Sequence, residues 1–364
     1  MDISLLRTRR RNDNSIGKTL TYACKSFCGG FGDRMRGIMT SYVLALITER
    51  HFMIDMTHPI DIIEFLRPNL YNWTFVKPKL NTSRSSISVS AIDSHVAFIS
   101  NMQTRAFSQT WAKYDDITLL TNLDLVNDIL RNPTVQNTSI VQMFVKLMPR
   151  VQLNMHSLFA LLFDALFSPT PRIVSALQPI LEPIHSGCTM LCLHIRIGSN
   201  PSNPLDQTFK DIGSAVNDTA AFLGQSKWMD NPMSRLFVTS DSALAIAHFV
   251  DRYPNRTLTV PGPILHIDRP AGGVNRTEGF VKVIADFYAL GECHTSILTP
   301  SGYSAMANRR RRAPYDHLYK YNPPKRRIER CHDVYAFRSN SSDQPVINAK
   351  YCRVLSNGSA YDFR

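Results

Sequence analysis

Strand, glycine loop and helix follow one another close to the start of this 364-residue sequence. Residues 20–27 (LTYACKSF) have strand character and lead directly into residues 29–34 (GGFGDR). Apolar side chains then recur at i, i+3, i+4 and i+7 spacing over residues 35–47, which predicts an amphipathic helix. Residues 52–56 form a short second strand pattern. This order is the opening of a Rossmann-like βαβ unit, so we expect a parallel α/β sheet.

The same order returns in the second half of the chain. Residues 190–197 (MLCLHIRI), 235–239 (RLFVT) and 295–298 (TSIL) are apolar strand patterns, and each ends in a polar loop. Because predicted helices follow these loops, we expect a second parallel sheet with ligand-binding loops at its strand ends. Further helices are predicted over residues 116–130, 155–167 and 172–181.

The length supports two domains, because single hydrophobic cores stop growing at about 250–300 residues. Residues 168–184 contain four prolines, and we place the boundary there. We expect an N-terminal Rossmann-like domain over residues 1–175, a C-terminal Rossmann-like domain over residues 176–330 and a tail over residues 331–364. With 44% hydrophobic and 19% charged residues the chain is not wholly disordered. No apolar stretch reaches the roughly 18–20 residues of a membrane span.

Sequons and cysteines indicate a secretory lumen, in the Golgi or the ER. The eight Asn-X-Ser/Thr sequons exceed what composition alone would supply; they are Asn72, Asn81, Asn137, Asn217, Asn255, Asn275, Asn340 and Asn357. The seven cysteines suit a few disulfides and one leftover thiol, and Cys331–Cys352 is the predicted pair. Zinc is disfavoured, since Cys24 and Cys28 have no second pair nearby. Against the lumen, residues 1–18 show no signal-peptide core and no anchor.

Two strand ends carry groups suited to an anion. The glycines of residues 29–34 let the backbone approach a ligand at the start of a helix, although a simple tight turn explains them equally well. His194 and Arg196 point to the same side at the end of the next sheet's first strand. A guanidinium there can bind a phosphate bidentately, and the alternative is a structural ion pair.

Two further strand ends are polar. Asp241 follows the strand at residues 235–239 and is suited to accepting a hydrogen bond from a base or a ribose, although residues 240–242 also form a helix N-cap. Residues 299–304 (TPSGYS) open a helix with hydroxyls and backbone N–H groups, which suits a phosphate, and simple capping is again the alternative.

Several chemistries are excluded by their missing motifs. The sequence has no HExxH, no GxSxG and no Asp-X-Asp, so a diphosphate held by a metal on paired acids is not expected. The formal net charge of +12 suits a polyanionic partner, and the basic runs at residues 309–312 and 325–327 keep a nucleic-acid binder as a third alternative. No aromatic residues are interleaved with these runs, so no nucleic-acid partner is expected.

Taken in order, the four loops resemble those of the fucosyltransferase superfamily, which includes α1,6-, α1,2- and protein O-fucosyltransferases. Residues 29–37 look like the family's GG-x-G-[ND]-[RQ] loop, and residues 194–198 (HIRIG) are similar to its H-x-R-x-G[D] signature. Residues 237–241 (FVTSD) match a hydrophobic-T-x-D strand end. Residues 286–290 followed by residues 299–304 resemble a D-x-x-x-L…[TS]-x-S-[SG]-[FY]-S ending.

This resemblance implies an α/β fold of GT-B type, with two Rossmann-like domains facing a central cleft. It also implies GDP-fucose as donor substrate, with no metal and no other cofactor. Arg196 would contact the donor β-phosphate. The implied donor-binding residues are Gly29, Gly30, Phe31, Gly32, Arg34, His194, Asp241, Ser301, Gly302, Tyr303 and Ser304.

The sequence departs from the family at Ser199, where the signature carries Asp, and the acidic stretch that supplies a base in α1,6-type enzymes has no equivalent. Asp33 is the acid nearest the expected donor site and is the candidate base. We therefore expect an inverting, metal-independent transfer of fucose to a glycan or protein hydroxyl, with a glycan or glycoprotein as acceptor. The alternative is a non-catalytic GDP- or glycan-binding relative of the same fold.

Overall fold

In the computed structural model the chain divides into two units. The first contains Met1–Thr170 and Tyr335–Ala349, and the second contains Pro171–Val334 and Lys350–Arg364. The structure describes residues 17–76, 83–93, 95–147, 155–198, 212–268, 275–311, 317–332, 338–339, 345–346 and 353–354.

The first unit is built on a parallel sheet. Its strands are β1 (Thr19–Cys24), β2 (His51–Met56), β3 (Leu66–Pro68), β4 (Ser86–Ala91), β5 (Asp116–Thr121) and β6 (Phe167–Pro169). Its helices are α1 (Phe31–Ile47), α2 (Val96–Thr104), α3 (Phe107–Thr110), α4 (Val126–Arg131), α5 (Ser139–Leu147) and α6 (Met155–Leu166), with a 3-10 turn at Ile62–Glu64. The parallel sheet has the order β2-β1-β5-β4, and β3 pairs with β6 in an antiparallel ribbon.

The helix predicted over residues 116–130 is wrong in its first half. Residues 116–121 form β5, which lies between β1 and β4 in the sheet. Along β5 the side chains of Ile117, Leu119 and Thr121 are buried, while those between them are partly exposed. This two-residue alternation is a strand pattern, and only α4 within the predicted range is helical.

Helix α1 packs closely against the sheet at Gly37. A Cβ atom placed at Gly37 would lie 1.8 Å from the carbonyl oxygen of Thr121 and 2.8 Å from the ring of Tyr22. Only glycine permits this approach, because any side chain would overlap the backbone at the end of β5.

A buried arginine fixes the loop before β5. The Arg50 guanidinium donates hydrogen bonds to the carbonyl oxygens of Trp111 at 2.6 Å, Tyr114 at 2.9 Å and Asp115 at 3.0 Å. These three bonds tie the loop to the residue that precedes β2.

The second unit contains a seven-stranded mixed sheet. Its strands are β7 (Thr189–Ile195), β8 (Ser234–Ser240), β9 (Thr257–Leu258), β10 (Thr295–Leu298), β11 (Leu318–Asn322), β12 (Arg327–His332) and β15 (Arg353–Val354). The short strands β13 (Arg338–Ser339) and β14 (Pro345–Val346) belong to the first unit and pair with each other in a separate antiparallel ribbon. Its helices are α7 (Pro171–His185), α8 (Ile212–Gln225), α9 (Ala243–Arg252), α10 (Arg276–Leu290) and α11 (Gly302–Asn308), with 3-10 turns at Lys227–Asp230 and Pro323–Lys325. The order is β15-β12-β11-β10-β7-β8-β9, and β7 to β11 run parallel.

The two faces of this sheet have different contents. One face buries apolar side chains such as Leu193, Val238 and Tyr321 in a core shared with Phe249 of α9. The opposite face carries polar side chains near its strand ends, because neighbouring residues of a strand point to opposite faces. The functional residues predicted for this unit belong to the strand ends.

Disulfides join Cys24 to Cys28 and Cys192 to Cys293. Cys188 is a free, buried thiol. Cys331 is disulfide-bonded, but Cys352, its predicted partner, lies outside the described residues. None of the helices that the structure describes has the length and apolarity to cross a membrane.

Gly37→Ala should lower the free energy of unfolding by about 3 kcal/mol, at the upper end for overpacking, because the new methyl group overlaps backbone. Urea denaturation at equilibrium measures this change. Gly224→Ala in α8 is the control, since a Cβ there meets only the flexible end of Arg252 at 3.4 Å. Gly224→Ala should leave the free energy of unfolding unchanged or raise it slightly. Equal stability of both variants would contradict the close approach of α1 to β5.

Candidate functional site

The glycine loop of the first unit is closed by Asp33. Its carboxylate accepts a hydrogen bond from the N–H of Gly30 at 3.2 Å and pairs with the guanidinium of Arg36 at 3.0 Å. Asp33 therefore caps the start of α1, and its side chain remains 36% exposed. The same carboxylate that was predicted as a base is an element of this turn, and its catalytic role stays a prediction.

Arg34 and Phe31 point into the first unit. The Arg34 side chain is fully buried and donates hydrogen bonds to the carbonyl oxygens of Gly29, at 3.0 Å, and of His58. Phe31 is also buried. In this conformation both side chains hold the loop in place, and the parts of the loop at its surface are the partly exposed Gly29 and Gly30. Donor binding by these residues stays a prediction.

In the second unit the strand ends lie side by side. Thr239 of β8 and Leu298 of β10 are both register partners of His194 in β7. The segments that follow these strands therefore begin at one edge of the sheet, where parallel α/β proteins bind their ligands. Arg196 and Asp241, two of the predicted residues, come together at this edge.

Asp241 holds the segment after β7. Its two carboxylate oxygens accept hydrogen bonds from the backbone N–H groups of Ile197 at 2.7 Å and Gly198 at 2.9 Å. The Arg196 guanidinium lies 3.5 Å from the same carboxylate. Gly198 has a φ of +78°, a conformation that glycine adopts at little cost. The following helix α9 is capped by Ser242, whose hydroxyl accepts from the N–H of Ala245.

Thr299 holds the other side of Arg196. Its hydroxyl accepts the backbone N–H of Arg196 at 2.6 Å and donates to the carbonyl oxygen of His194 at 3.1 Å. The arginine backbone is therefore fixed from β8 and from β10 at once. The Arg196 side chain stays 26% exposed, so the charge is held near the surface of the sheet edge.

A buried polar network lies behind this edge. The Thr239 hydroxyl donates to the Asp286 carboxylate at 2.8 Å, and the Lys282 ammonium lies 3.1 Å from the same oxygen. Lys282 also donates to the carbonyl oxygen of Val260 at 2.7 Å. Burial raises the pKa of Asp286 to about 6, although the Lys282 charge opposes this. The sequence motif contained Asp286, but no role was predicted for Lys282; a Lys and an Asp four residues apart in an otherwise apolar helix are its signal.

His194 is buried in its neutral form. Burial, together with the nearby charge of Arg196, lowers its pKa to about 3. Its ring lies 5.6 Å from the ring of Tyr303, and within the described chain no hydrogen-bond partner reaches its buried Nδ1. The Tyr303 hydroxyl donates to the carbonyl oxygen of Val283 at 2.6 Å. His194 is thus a buried, neutral side chain, and its role in donor binding stays a prediction.

The start of α11 is arranged by its own serines. Ser301 is the N-cap residue, its side chain makes no capping hydrogen bond, and its carbonyl oxygen accepts from the Ser304 hydroxyl at 3.4 Å. Ser301 and Gly302 are partly exposed, whereas Ser304 is buried. Of the predicted residues in this segment, Tyr303 and Ser304 face the interior.

The basic runs are largely used within the second unit. Arg310 stacks on the Tyr288 ring with its guanidinium carbon 4.1 Å from the ring centre, and buried Arg311 donates to the carbonyl oxygen of His294 at 2.8 Å. Arg326 pairs with Asp218 at 3.4 Å. These contacts stabilise the fold of the second unit. No set of three or more His, Cys, Asp or Glu side chains within the described ranges is placed to hold a metal ion.

The neutral, buried state of His194 predicts an acid-sensitive fold. Its pKa lies below the ordinary histidine value, so the unfolded chain takes up a proton first and stability falls as the pH drops below about 6.5. Between pH 7.5 and pH 5 the protonation of this histidine in the unfolded chain lowers the free energy of unfolding by about 2 kcal/mol. His194→Gln should remove that part of the pH dependence in denaturant titrations. His185→Gln, at an exposed histidine, should leave the pH dependence of stability unchanged. If stability falls with pH equally in the wild type and in His194→Gln, the assignment of a buried neutral His194 is wrong.

Comparisons with known proteins give a result at the level of structure. No protein-family model and no curated protein sequence matches the chain. The structure is similar to a mutant of fucosyltransferase FUT1 from Arabidopsis thaliana in complex with GDP, with 14% identity and a TM-score of 0.60 over 89% of this chain and 74% of that one. It is also similar to NodZ α-1,6-fucosyltransferase soaked with GDP-fucose, with 14% identity and a TM-score of 0.50 over 84% of this chain and 95% of that one.

At such identity the likeness concerns the fold, and it agrees with the order of the four loops in the sequence. Three observations support this likeness in fold: the parallel sheets, the sheet edge that carries Arg196, and the overall match to two solved enzymes. The chain has a fucosyltransferase-like fold.

Proposed function

We propose that the protein is an inverting glycosyltransferase that moves fucose from GDP-fucose to a hydroxyl of a glycan or protein, without a metal. The observation that carries this proposal is the fixed position of Arg196, whose backbone is held by Thr299 and whose following residues are held by Asp241. The solved structures of similar fold contain GDP or were soaked with GDP-fucose, which supports this donor.

Arg196 supplies the positive charge for the leaving group. When the bond between fucose and the β-phosphate breaks, negative charge builds on the phosphate oxygens. A guanidinium that is already oriented stabilises this charge without reorganising, and it keeps its own charge at any working pH. Its backbone bond to Thr299 and its position beside Asp241 provide the orientation in advance.

His194 and Asp241 orient the nucleoside in this proposal. His194 offers a buried neutral ring whose Nδ1 has no partner within the described chain. Asp241 uses both carboxylate oxygens on the backbone, but each oxygen accepts more than one hydrogen bond and the side chain is 23% exposed. Loss of His194 should raise the donor KM more than it lowers kcat, whereas loss of Asp241 should lower kcat as well, because Asp241 also positions Arg196.

The acceptor hydroxyl attacks the anomeric carbon from the face opposite GDP, which inverts the configuration. The proton of that hydroxyl needs an acceptor, and Asp33 is the candidate because its carboxylate is partly exposed at the start of α1.

We place the enzyme in the lumen of the secretory pathway. Two disulfides among the described cysteines are typical of an oxidising compartment. Every sequon asparagine that the structure describes is exposed, as glycosylation requires; these are Asn72, Asn137, Asn217, Asn255 and Asn275.

A non-catalytic relative of the same fold is the second candidate. Ser199 replaces the family's Asp, and Asp33 has a capping role that explains its presence without catalysis. Such a protein would bind GDP but would not consume GDP-fucose. Turnover of the donor separates the two candidates directly.

Arg196→Ala should lower turnover of GDP-fucose by about 10²–10³-fold, since one preorganised donor to a developing charge is lost. Release of GDP is measured with a panel of glycan and glycoprotein acceptors.

Binding of the donor is measured by thermal unfolding with GDP, GDP-fucose, UDP and NAD, each with and without EDTA. Only GDP and GDP-fucose should stabilise the protein, and EDTA should not change this stabilisation.

Arg252→Ala, at the exposed end of α9, is the matched control and should behave as wild type. Unchanged turnover in Arg196→Ala would make Arg196 structural and the proposed function wrong. Stabilisation by GDP without any turnover would instead select the non-catalytic candidate.

Asp33→Asn should lower fucose transfer by about 10²–10⁴-fold while GDP binding is retained. The amide oxygen can still accept the Gly30 N–H, so the cap survives, while the charge that accepts a proton and pairs with Arg36 is lost. Asp61→Asn, at the N-cap of the 3-10 turn, is the control for the same change at another cap. Wild-type transfer in Asp33→Asn would restrict Asp33 to capping.

A further inference from the structure

Lys320 lies beside the donor edge, on the face of the second sheet opposite the apolar core that contains Leu193 and Val238. It is the register partner of Leu298, which is itself the register partner of His194. His194, Leu298 and Lys320 therefore form a row across β7, β10 and β11, with their side chains on one face. Neighbouring strands are about 4.8 Å apart, so the α-carbon of Lys320 is about 10 Å from that of His194.

The Lys320 ammonium has another cation nearby and makes no ion pair with a carboxylate of the described chain. Arg309, the residue after α11, repels it, and burial together with this repulsion lowers the pKa of Lys320. The residue opposite on β12 is Glu329, but its carboxylate already binds Arg327 at 2.5 Å, Asn322 at 2.9 Å and Lys325 at 3.5 Å. The described chain supplies neither a carboxylate nor a hydrogen-bond acceptor to the Lys320 ammonium.

This arrangement differs from that of the other cations nearby. Arg310, Arg311 and Arg327 each have a carbonyl, a ring or a carboxylate as partner. A partly buried ammonium without such a partner costs stability, since it loses hydration and receives no compensating bond. A ligand that brings a negative charge to the row would supply that bond.

We propose that Lys320 is an anion-binding residue, and that it binds a phosphate group of a ligand at the carboxyl edge of the second sheet. Arg309 adds positive charge from the end of α11. The phosphate can belong to the diphosphate of a nucleotide or to a separate phosphate-bearing molecule. Both sources present the same oxygen acceptors to an ammonium, and the experiment distinguishes them.

The test measures the thermal stabilisation of the full chain by inorganic phosphate, pyrophosphate, GDP and guanosine. Lys320→Met removes the charge while keeping an unbranched apolar side chain, and Lys320→Arg keeps the charge. Lys325→Met is the control, because Lys325 is an exposed lysine of the same unit that already pairs with Glu329. A lost hydrogen bond to a charged group corresponds to roughly tenfold or more in Kd.

We expect Lys320→Met to raise the Kd for phosphate groups by roughly tenfold or more, and Lys320→Arg to bind them as the wild type does. The stabilisation by guanosine should be the same in all variants. Weaker binding of GDP and pyrophosphate assigns Lys320 to the diphosphate. Weaker binding of phosphate with unchanged GDP assigns it to a separate anion. The proposal is overturned if Lys320→Met binds all of these as wild type does, or if none of them stabilises the wild type.

The midpoint of unfolding without any anion gives an independent reading. Lys320→Met should be at least as stable as wild type, because an uncompensated charge is removed. A large fall in the unfolding midpoint of Lys320→Met would place the ammonium in an ion pair of the fold and would overturn the proposal. If Lys320→Met cannot be produced in folded form, Lys320→Gln is used for both the stability and the binding measurement. The phosphate and pyrophosphate measurements need no guanine and no fucose, so they remain valid if the proposed transferase activity is not found.

Discussion

One carboxylate organises the donor edge of the second unit. Asp241 accepts the consecutive backbone N–H groups of Ile197 and Gly198, and this contact requires the left-handed conformation that Gly198 adopts. Because a bend in the chain is fixed there, the guanidinium of Arg196 lies beside the same carboxylate and its backbone N–H reaches Thr299. Three strands that are distant in sequence thus set the position of a single charged side chain.

Hydrogen bonds between elements that are distant in sequence also hold the residues beneath this edge. Thr239 ends β8 next to the residues that hold Arg196, and its hydroxyl is bound to Asp286 in α10. Lys282 neutralises that carboxylate in part and reaches the Val260 carbonyl oxygen, so a helix, a strand and a loop share one buried network. Such a network tolerates little variation, since each group that loses its partner remains buried. The edge is therefore a rigid support, and the residues with capacity left for a ligand are few.

Much of the fold could be predicted, because strand and helix periods are local properties. The parallel sheets and the order of the four loops follow from such periods, and the fucosyltransferase-like fold is confirmed at the level of structure. Residues 116–121 were misassigned, since six residues of mixed polarity fit a helix or a strand equally well until their neighbours in the sheet are known. The Cys192–Cys293 disulfide could not be foreseen, because it depends on which strands become neighbours. Within the site, Asp241 was recognised as a polar strand end, but its bonds to two backbone N–H groups depend on the adjacent loop.

The Cys192–Cys293 disulfide closes a covalent ring that includes β8, α9 and α10. Asp241 and the network of Thr239, Asp286 and Lys282 belong to that ring, whereas Thr299 lies outside it. A protease that cuts one loop inside it would leave a single covalently connected molecule with the sheet pairings on both sides intact. After such a cut the two halves of the support would therefore not diffuse apart.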